Sequence, residues 1–199
     1  MKLKTFIAAA ALLAAGTAQA NLIKNGTFEN GATSNWNRTG NVRVTDYLGN
    51  GVYFSGGSAA NGHYMAAFNA GDSTPNGSLS QTFQTVVGQR YVWEFDFGVT
   101  GGGAQSLNAT ILGSNGATIL ASNQVTDNAP GALSHFSYVF FGDGNKATLR
   151  FSDIGANASG GVDSLVDNVG VNAVPEPASL ALMGLGLLGL LAARRRKQG

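Results

Sequence analysis

YVWEFDFG, residues 91–98, alternates ring and non-ring side chains without a break. Successive side chains of a β-strand point to opposite faces, so Tyr91, Trp93, Phe95 and Phe97 share one face and Val92, Glu94 and Asp96 share the other. A helix would scatter the four rings around its circumference. The stretch reads as a strand of an antiparallel sheet, dry on one side and wet on the other. Trp93, between Tyr91 and Phe95, reads as core.

The same alternation recurs outward from it. HFSYVFF groups Phe136, Tyr138 and Phe140, and ATLRFSD sets Ala147, Leu149 and Phe151 against Thr148, Arg150 and Ser152. SLVDNVGV, read with strict alternation, puts Leu165, Asp167, Val169 and Val171 on one face. Further strands are predicted at Asn41–Tyr47, Tyr64–Phe68, Ser78–Gln84, Leu107–Leu112 and Thr118–Val125. Asn-Gly pairs at Asn25, Asn30, Asn50, Asn61, Asn76 and Asn115 supply turns that need positive φ. About nine short strands with turn signals between them predict an all-β sandwich. No amphipathic helix of useful length appears.

Composition narrows the function. The 199 residues include no cysteine, which excludes a disulfide scaffold, a thiolate metal site and a cysteine nucleophile. Between Asn21 and Ala173 there are six basic and ten acidic residues, a balance of −4. That argues against nucleic-acid binding.

Both ends read as addresses. Lys2 and Lys4, the apolar run Phe6–Ala15 and the small-x-small site Ala18-Gln19-Ala20 form a secretory signal, so residues 1–20 are expected to be removed. At the other end, GLGLLG (Gly184–Gly189) has the spacing of a dinucleotide loop. It lies inside a leucine run, however, and no acidic residue follows it, so the context excludes that reading. Ala178–Ala193 is uncharged and would span about 24 Å as a single transmembrane helix, with the basic tail 194–199 left in the cytoplasm. The sandwich domain is then residues 21–173.

Pro175-Glu176-Pro177, the apolar run and Arg194-Arg195-Arg196 together resemble the PEP-CTERM sorting signal. The resemblance implies recognition by an exosortase in the membrane of a Gram-negative bacterium. It implies removal of the tail, by a cut near Pro175–Pro177 within the 174–199 signal, and delivery of the domain to the cell surface or extracellular matrix. A permanent single-span anchor is the other reading of the same tail.

A second resemblance covers the domain. NLIKNGTFENG (Asn21–Gly31) followed by Trp36, GSLSQTFQTVVGQRYVWEFDFG (Gly77–Gly98) and VDNVGV (Val166–Val171) are similar to stretches of galactose-binding-like jelly rolls. These include carbohydrate-binding modules and DUF642-type wall proteins. In such modules the first and last strands lie together and hold a structural calcium ion. The resemblance maps that site onto Glu29 and Asp167, with Asn25 and Asn168 as further oxygen donors. Calcium suits such hard oxygen ligands. The alternative is that Glu29 is a surface residue and Asp167 caps a turn.

Sugars stack on exposed rings while polar groups read their hydroxyls. Trp36, in the polar stretch SNWNRTG, is a candidate ring, and covering the sandwich end is its other reading. Tyr47, Tyr53 and Phe54 flank a glycine-rich loop where a binding surface is expected. Catalysis finds little support. His63 and His135 are far apart in sequence, and no GxSxG elbow occurs. Glu94 and Asp96 share a strand face, whereas glycosidase carboxylates must flank the scissile bond. The expected role is a non-catalytic surface or biofilm-matrix protein associating with extracellular polysaccharide. A ligand-free structural protein and, last, a glycoside-active enzyme are the alternatives.

Overall fold

The computed structural model describes residues 20–46, 62–68, 77–154 and 162–175. Among the described residues there are ten strands: β1 (Asn37–Thr39), β2 (Val42–Asp46), β3 (Tyr64–Phe68), β4 (Ser78–Gln84), β5 (Arg90–Val99), β6 (Gln105–Leu112), β7 (Ile119–Asp127), β8 (Ser134–Phe141), β9 (Lys146–Asp153) and β10 (Ser164–Ala173). Each of the nine predicted strands is present within two residues at either end. The tenth, β1, has the sequence NRT and is exposed throughout. Three polar residues carry no alternation signal, and the strand exists because it pairs with β4.

Two five-stranded sheets form, in the orders β1-β4-β9-β6-β7 and β2-β3-β10-β5-β8. All pairings are antiparallel, and only β2–β3 and β6–β7 join strands adjacent in sequence. The remaining pairings cross between distant strands, which is the jelly-roll pattern. Residues 20–173 form one compact unit.

The alternating rings of β5 lie in the core between the sheets. Tyr91, Trp93, Phe95 and Phe97 are all buried. They meet Phe136, Tyr138 and Phe140 of β8, and the Phe95 ring packs edge-on against Phe151 with centroids 4.9 Å apart. The contacts with β8 lie within one sheet, whereas Phe95 on Phe151 and Phe83 on Phe140, centroids 6.2 Å apart, join the two layers, and burying rings of this size contributes strongly to stability.

One face assignment is corrected. Strict alternation places Leu165, Asp167, Val169 and Val171 together. In the structure Val166, Val169 and Val171 face the core, while Leu165 joins Met65 and Ala67 in a separate apolar cluster. The cause is a bulge. Asp167 pairs with Asp96 but Gly170 pairs with Glu94, so β10 carries one residue more than β5 there. Asn168, inside the bulge, has φ 50°. One inserted residue exchanges the faces of everything beyond it.

The start and end of the domain are tied together. The Leu22 N–H donates to Val171 O at 2.9 Å. The Asn21 side-chain oxygen accepts from the Val171 N–H at 3.0 Å, and its amide donates to Val169 O at 3.1 Å. Among the described residues no helix is long and apolar enough to cross a membrane. The apolar run Ala178–Ala193 lies outside them, as do Ala18, Glu176, Pro177 and Arg194–Arg196.

Candidate functional site

The two sheets turn very different outer faces to solvent. On the β1-β4-β9-β6-β7 sheet the core-facing residues include Leu79, Phe83, Leu149, Phe151, Leu107 and Ile111. Their neighbours point outward and are polar. One row runs across all five strands as Asn37, Ser80, Arg150, Thr110 and Ser122. The next runs as Thr39, Ser78, Ser152, Asn108 and Gln124. Five strands spaced about 4.8 Å apart make each row about 19 Å long, the length of a short oligosaccharide.

Hydroxyl pairs link strands along these rows, Thr110 with Ser122 and Ser78 with Ser152, each at 3.5 Å, and further pairs flank them. Thr82 and Thr148 are 3.1 Å apart, and Ser106 and Thr126 are 2.8 Å apart. Arg150 sits at the centre of the face. Its Nε is buried without a hydrogen-bond partner, and no ion pair involves it among the described residues. A guanidinium is a planar fork of N–H donors. Held among hydroxyls and amides, it can donate to the hydroxyl and ring oxygens of a glycan, which the neighbouring Asn and Gln groups can read from both sides.

The outer side of the β2-β3-β10-β5-β8 sheet is mixed, with Glu94, Asp96 and His135 beside Arg90, Val139 and Phe141, and with Met65, Ala67 and Leu165 buried on it. His135 Nδ1 lies 2.8 Å from Asp96 Oδ1, and its Nε2 lies 3.8 Å from Glu94 Oε2. Asp96 Oδ2 accepts from the Asn168 amide at 2.7 Å, and Glu94 Oε1 accepts from the Asn172 amide at 3.3 Å. His135 is 39 positions from Asp96 in sequence, so only the β5–β8 register brings them together. Glu94 and Asp96 project side by side, on one side of anything that rests on the face.

Beside this face lies the predicted cation pair. Glu29 is presented by two tight turns, closed by the Phe28 N–H to Asn25 O and the Gly31 N–H to Phe28 O. Asn25 and Phe28 both adopt positive φ, 53° and 55°. For phenylalanine this is a strained conformation, held by complete burial of the ring against Trp36. Glu29 Oε1 accepts from the His63 and Tyr64 N–H groups, each at 2.9 Å.

Asp167 is fully buried, and neither carboxylate oxygen has a hydrogen-bond partner. Burial pushes its pKa up to about 8. The neighbouring Asn168 N–H opposes the rise without completing a hydrogen bond, and the charges of Glu29 and Asp96 add to it. Glu29 and Asp167, 138 positions apart in sequence, are thus close enough to feel each other's charge. A buried carboxylate with both oxygens unmatched, next to further carboxylates, fits the donor set of a hard divalent cation. Among the described residues no three His, Asp or Glu side chains form a metal cluster, so backbone or solvent oxygens would have to complete the shell.

The two asparagines use their side-chain N–H groups locally, which leaves their oxygens as the groups that could face a cation. The Asn25 amide donates to Ala32 O and Ser34 O, and that of Asn168 donates to Asp96. Trp36 is only 7% exposed, which corrects its reading as a ring open to sugar. The chain folds back at Thr33–Trp36, and the indole packs on Phe28 and Phe151 while its N–H donates to Asn25 O at 3.1 Å. Tyr47, Tyr53 and Phe54 lie outside the described residues. Arg150 carries no motif, and Asn108 only an Asn-x-Thr sequon, which says nothing about sugar binding. Beyond that, their only sequence signal is the polar half of an alternating strand.

A jelly-roll sandwich with one broad face of hydrogen-bonding side chains defines a β-sandwich binding module. The chain belongs to the carbohydrate-binding domain family, whose pattern it matches over residues 20–152. Residues 173–197 match the PEP-CTERM protein-sorting motif. Among solved structures, TmCBM61 in complex with β-1,4-galactotriose superposes with TM-score 0.54 at 17% identity, covering 78% of this chain and 99% of that one. The CBM22-1 xylan-binding domain of Paenibacillus barcinonensis Xyn10C gives 0.54 at 17%, covering 82% and 100%. The N-terminal cellulose-binding domain of Cellulomonas fimi β-1,4-glucanase C gives 0.53 at 14%, covering 79% and 100%. At these identities the likeness establishes the jelly-roll fold. No curated protein matches the chain significantly.

Proposed function

We propose that this is an exported, non-catalytic polysaccharide-binding protein of a Gram-negative cell surface or biofilm matrix. Its glycan contact is the outer face of β1-β4-β9-β6-β7. The observation that carries the reading is the pair of five-residue polar rows centred on Arg150, in a chain of the carbohydrate-binding family. Neutral donors and acceptors in an ordered array match the hydroxyls of a sugar chain, and a partly buried guanidinium adds orientation. Solved structures of this fold include a galactotriose complex, a xylan-binding domain and a cellulose-binding domain, which supports a polysaccharide ligand.

The signal and tail set the location. Export removes residues 1–20, the tail holds the precursor in the inner membrane, and an exosortase cuts near Pro175–Pro177 to release the domain. A calcium ion on Glu29 and Asp167 braces the junction of the first and last strands. A glycoside-active enzyme is the reading that the Glu94, Asp96 and His135 cluster would favour. Neighbouring carboxylates on one strand face share a side of any substrate and flank a glycosidic bond poorly, so binding is preferred.

Affinity electrophoresis and calorimetry of the chain from Asn21, against the host's own exopolysaccharide, β-1,4-galactan, xylan and cellulose oligosaccharides, test this. Binding is expected to at least one of them. Arg150→Ala should weaken it by about tenfold or more, and Glu94→Gln on the opposite sheet should leave it intact. Equal affinity of Arg150→Ala and the parent chain would place the contact elsewhere. No binding to any of these glycans would favour a ligand-free structural protein.

A further inference from the structure

Five large apolar side chains are exposed among the described residues: Val86 61%, Val87 75%, Ile119 61%, Val139 43% and Phe141 63%. Val86, Val87, Ile119 and Phe141 lie at one end of the sandwich, while Val139 sits within β8 opposite Val92. Gln84 pairs with Lys146, Leu112 with Thr148 and with Ile119, and Phe141 with Arg90, so the β4–β5, β6–β7 and β8–β9 turns emerge together. The turns touch. The Gly88 N–H donates to Gly142 O at 2.8 Å, a Cβ on Gly144 would stand 3.2 Å from Val87 Cβ, and one on Gly113 would stand 3.6 Å from Asp143 Oδ2. Besides Asp143, the charged residues of these turns and the strand ends beside them are Arg90 and Lys146, a balance of +1. Apolar residues collected on one surface of a soluble domain mark a contact.

The chain leaves the domain at this same end, because Ala173 pairs with Tyr91. The uncharged run begins at Ala178, five Cα steps on, which reach at most about 18 Å. A bilayer adds roughly 5–8 Å of headgroup on each side of its hydrocarbon core. If the run spans the membrane, the sandwich is held within this reach of the surface, and the apolar end is the one nearest the tether along the chain.

We propose that this end is a membrane-contact surface. In the uncut precursor, Val86, Val87, Ile119 and Phe141 rest in the headgroup layer, with Arg90 and Lys146 on anionic lipid. The contact stands the sandwich upright, leaves the Arg150 face open at its side, and keeps Val174–Pro177 at the bilayer surface for cutting. Loss of the tail removes the tether and leaves only this weak contact, so the domain departs. The inference rests on the sorting-tail reading and not on the sugar contact.

The absence of cysteine permits a clean test. The chain from Asn21 to Gly199 is reconstituted into vesicles of phosphatidylethanolamine and phosphatidylglycerol. An environment-sensitive fluorophore is attached at Val87→Cys, at Ile119→Cys or, as a control, at Ala129→Cys, exposed at the opposite end. The first two probes should shift to the blue and be quenched by spin-labelled lipid, and the control should do neither. Arg90→Gln with Lys146→Gln should reduce the quenching. A Val87 probe that stays in water overturns the proposal. So does one shielded from water yet not quenched by lipid, since protein, such as a second copy, then covers the end. A chain that fails to float with the vesicles overturns the anchored-tail reading as well, whereas a floating chain with a wet probe overturns this one alone.

Discussion

Asp167 shows how one residue can make a fold depend on its surroundings. A carboxyl with a folded-state pKa above its unfolded value takes up a proton on folding. Its contribution to stability is complete below the unfolded value of 3.8 and is lost as pH rises through about 8. Without metal the domain should therefore melt at progressively lower temperature from about pH 4 to about pH 8, by on the order of 5 kcal/mol in free energy across that window. Calcium, which supplies the missing charge, should reverse the loss and raise Tm. Asp167→Asn should flatten the pH dependence and abolish the calcium response. Melting curves with EDTA and with calcium check all three; a Tm insensitive to both pH and calcium would mean that the carboxylate finds another partner.

At the scale of elements, the β10 bulge meets the Asn25–Gly31 turn. The Val169 N–H donates to Gly26 O at 2.9 Å, and a Cβ on Gly26 would overlap Val169 O. This close approach is why glycine is needed at position 26. Gly26→Ala should cost about 2–3 kcal/mol, or a Tm lower by about 5–10 °C for a domain of this size, with calcium stabilisation reduced because Glu29 moves with the turn. The same substitution at Gly116, where no atom lies within 4 Å but φ is 69°, meets only backbone strain and should cost about 1 kcal/mol. Thermal denaturation of the two variants separates contact from conformation.

At the scale of the whole molecule, both ends of the domain leave from neighbouring positions, Leu22 beside Val171. Removal of a signal before Asn21 and of a tail after Ala173 would leave both cut ends on one side of a closed sandwich. The intact mass of the native protein in its host should correspond to a chain from Asn21 ending near Pro175–Pro177, in the surface or extracellular fraction. A chain running to Gly199 in the inner membrane would make the tail a permanent anchor.

Much of the architecture was legible from local pattern. The side-chain period of a strand is two, so YVWEFDFG and ATLRFSD show which residues enter the core before any partner is known. The Glu29–Asp167 pair was reached through resemblance at the two chain ends. Three things needed the folded chain. The bulge at Asn168 is one residue of slack, set by the fit of β10 to β5 and to Gly26, and no local pattern marks it. Trp36 sits in a polar stretch, and only the fold-back at Thr33–Trp36 puts its ring on Phe151. Arg150, Asn108 and Ser80 become one face, and His135 meets Asp96, through pairings between strands far apart in the chain. Local periodicity dictates which way a side chain points; which side chains stand beside it is decided by register, a property of the assembled sheets.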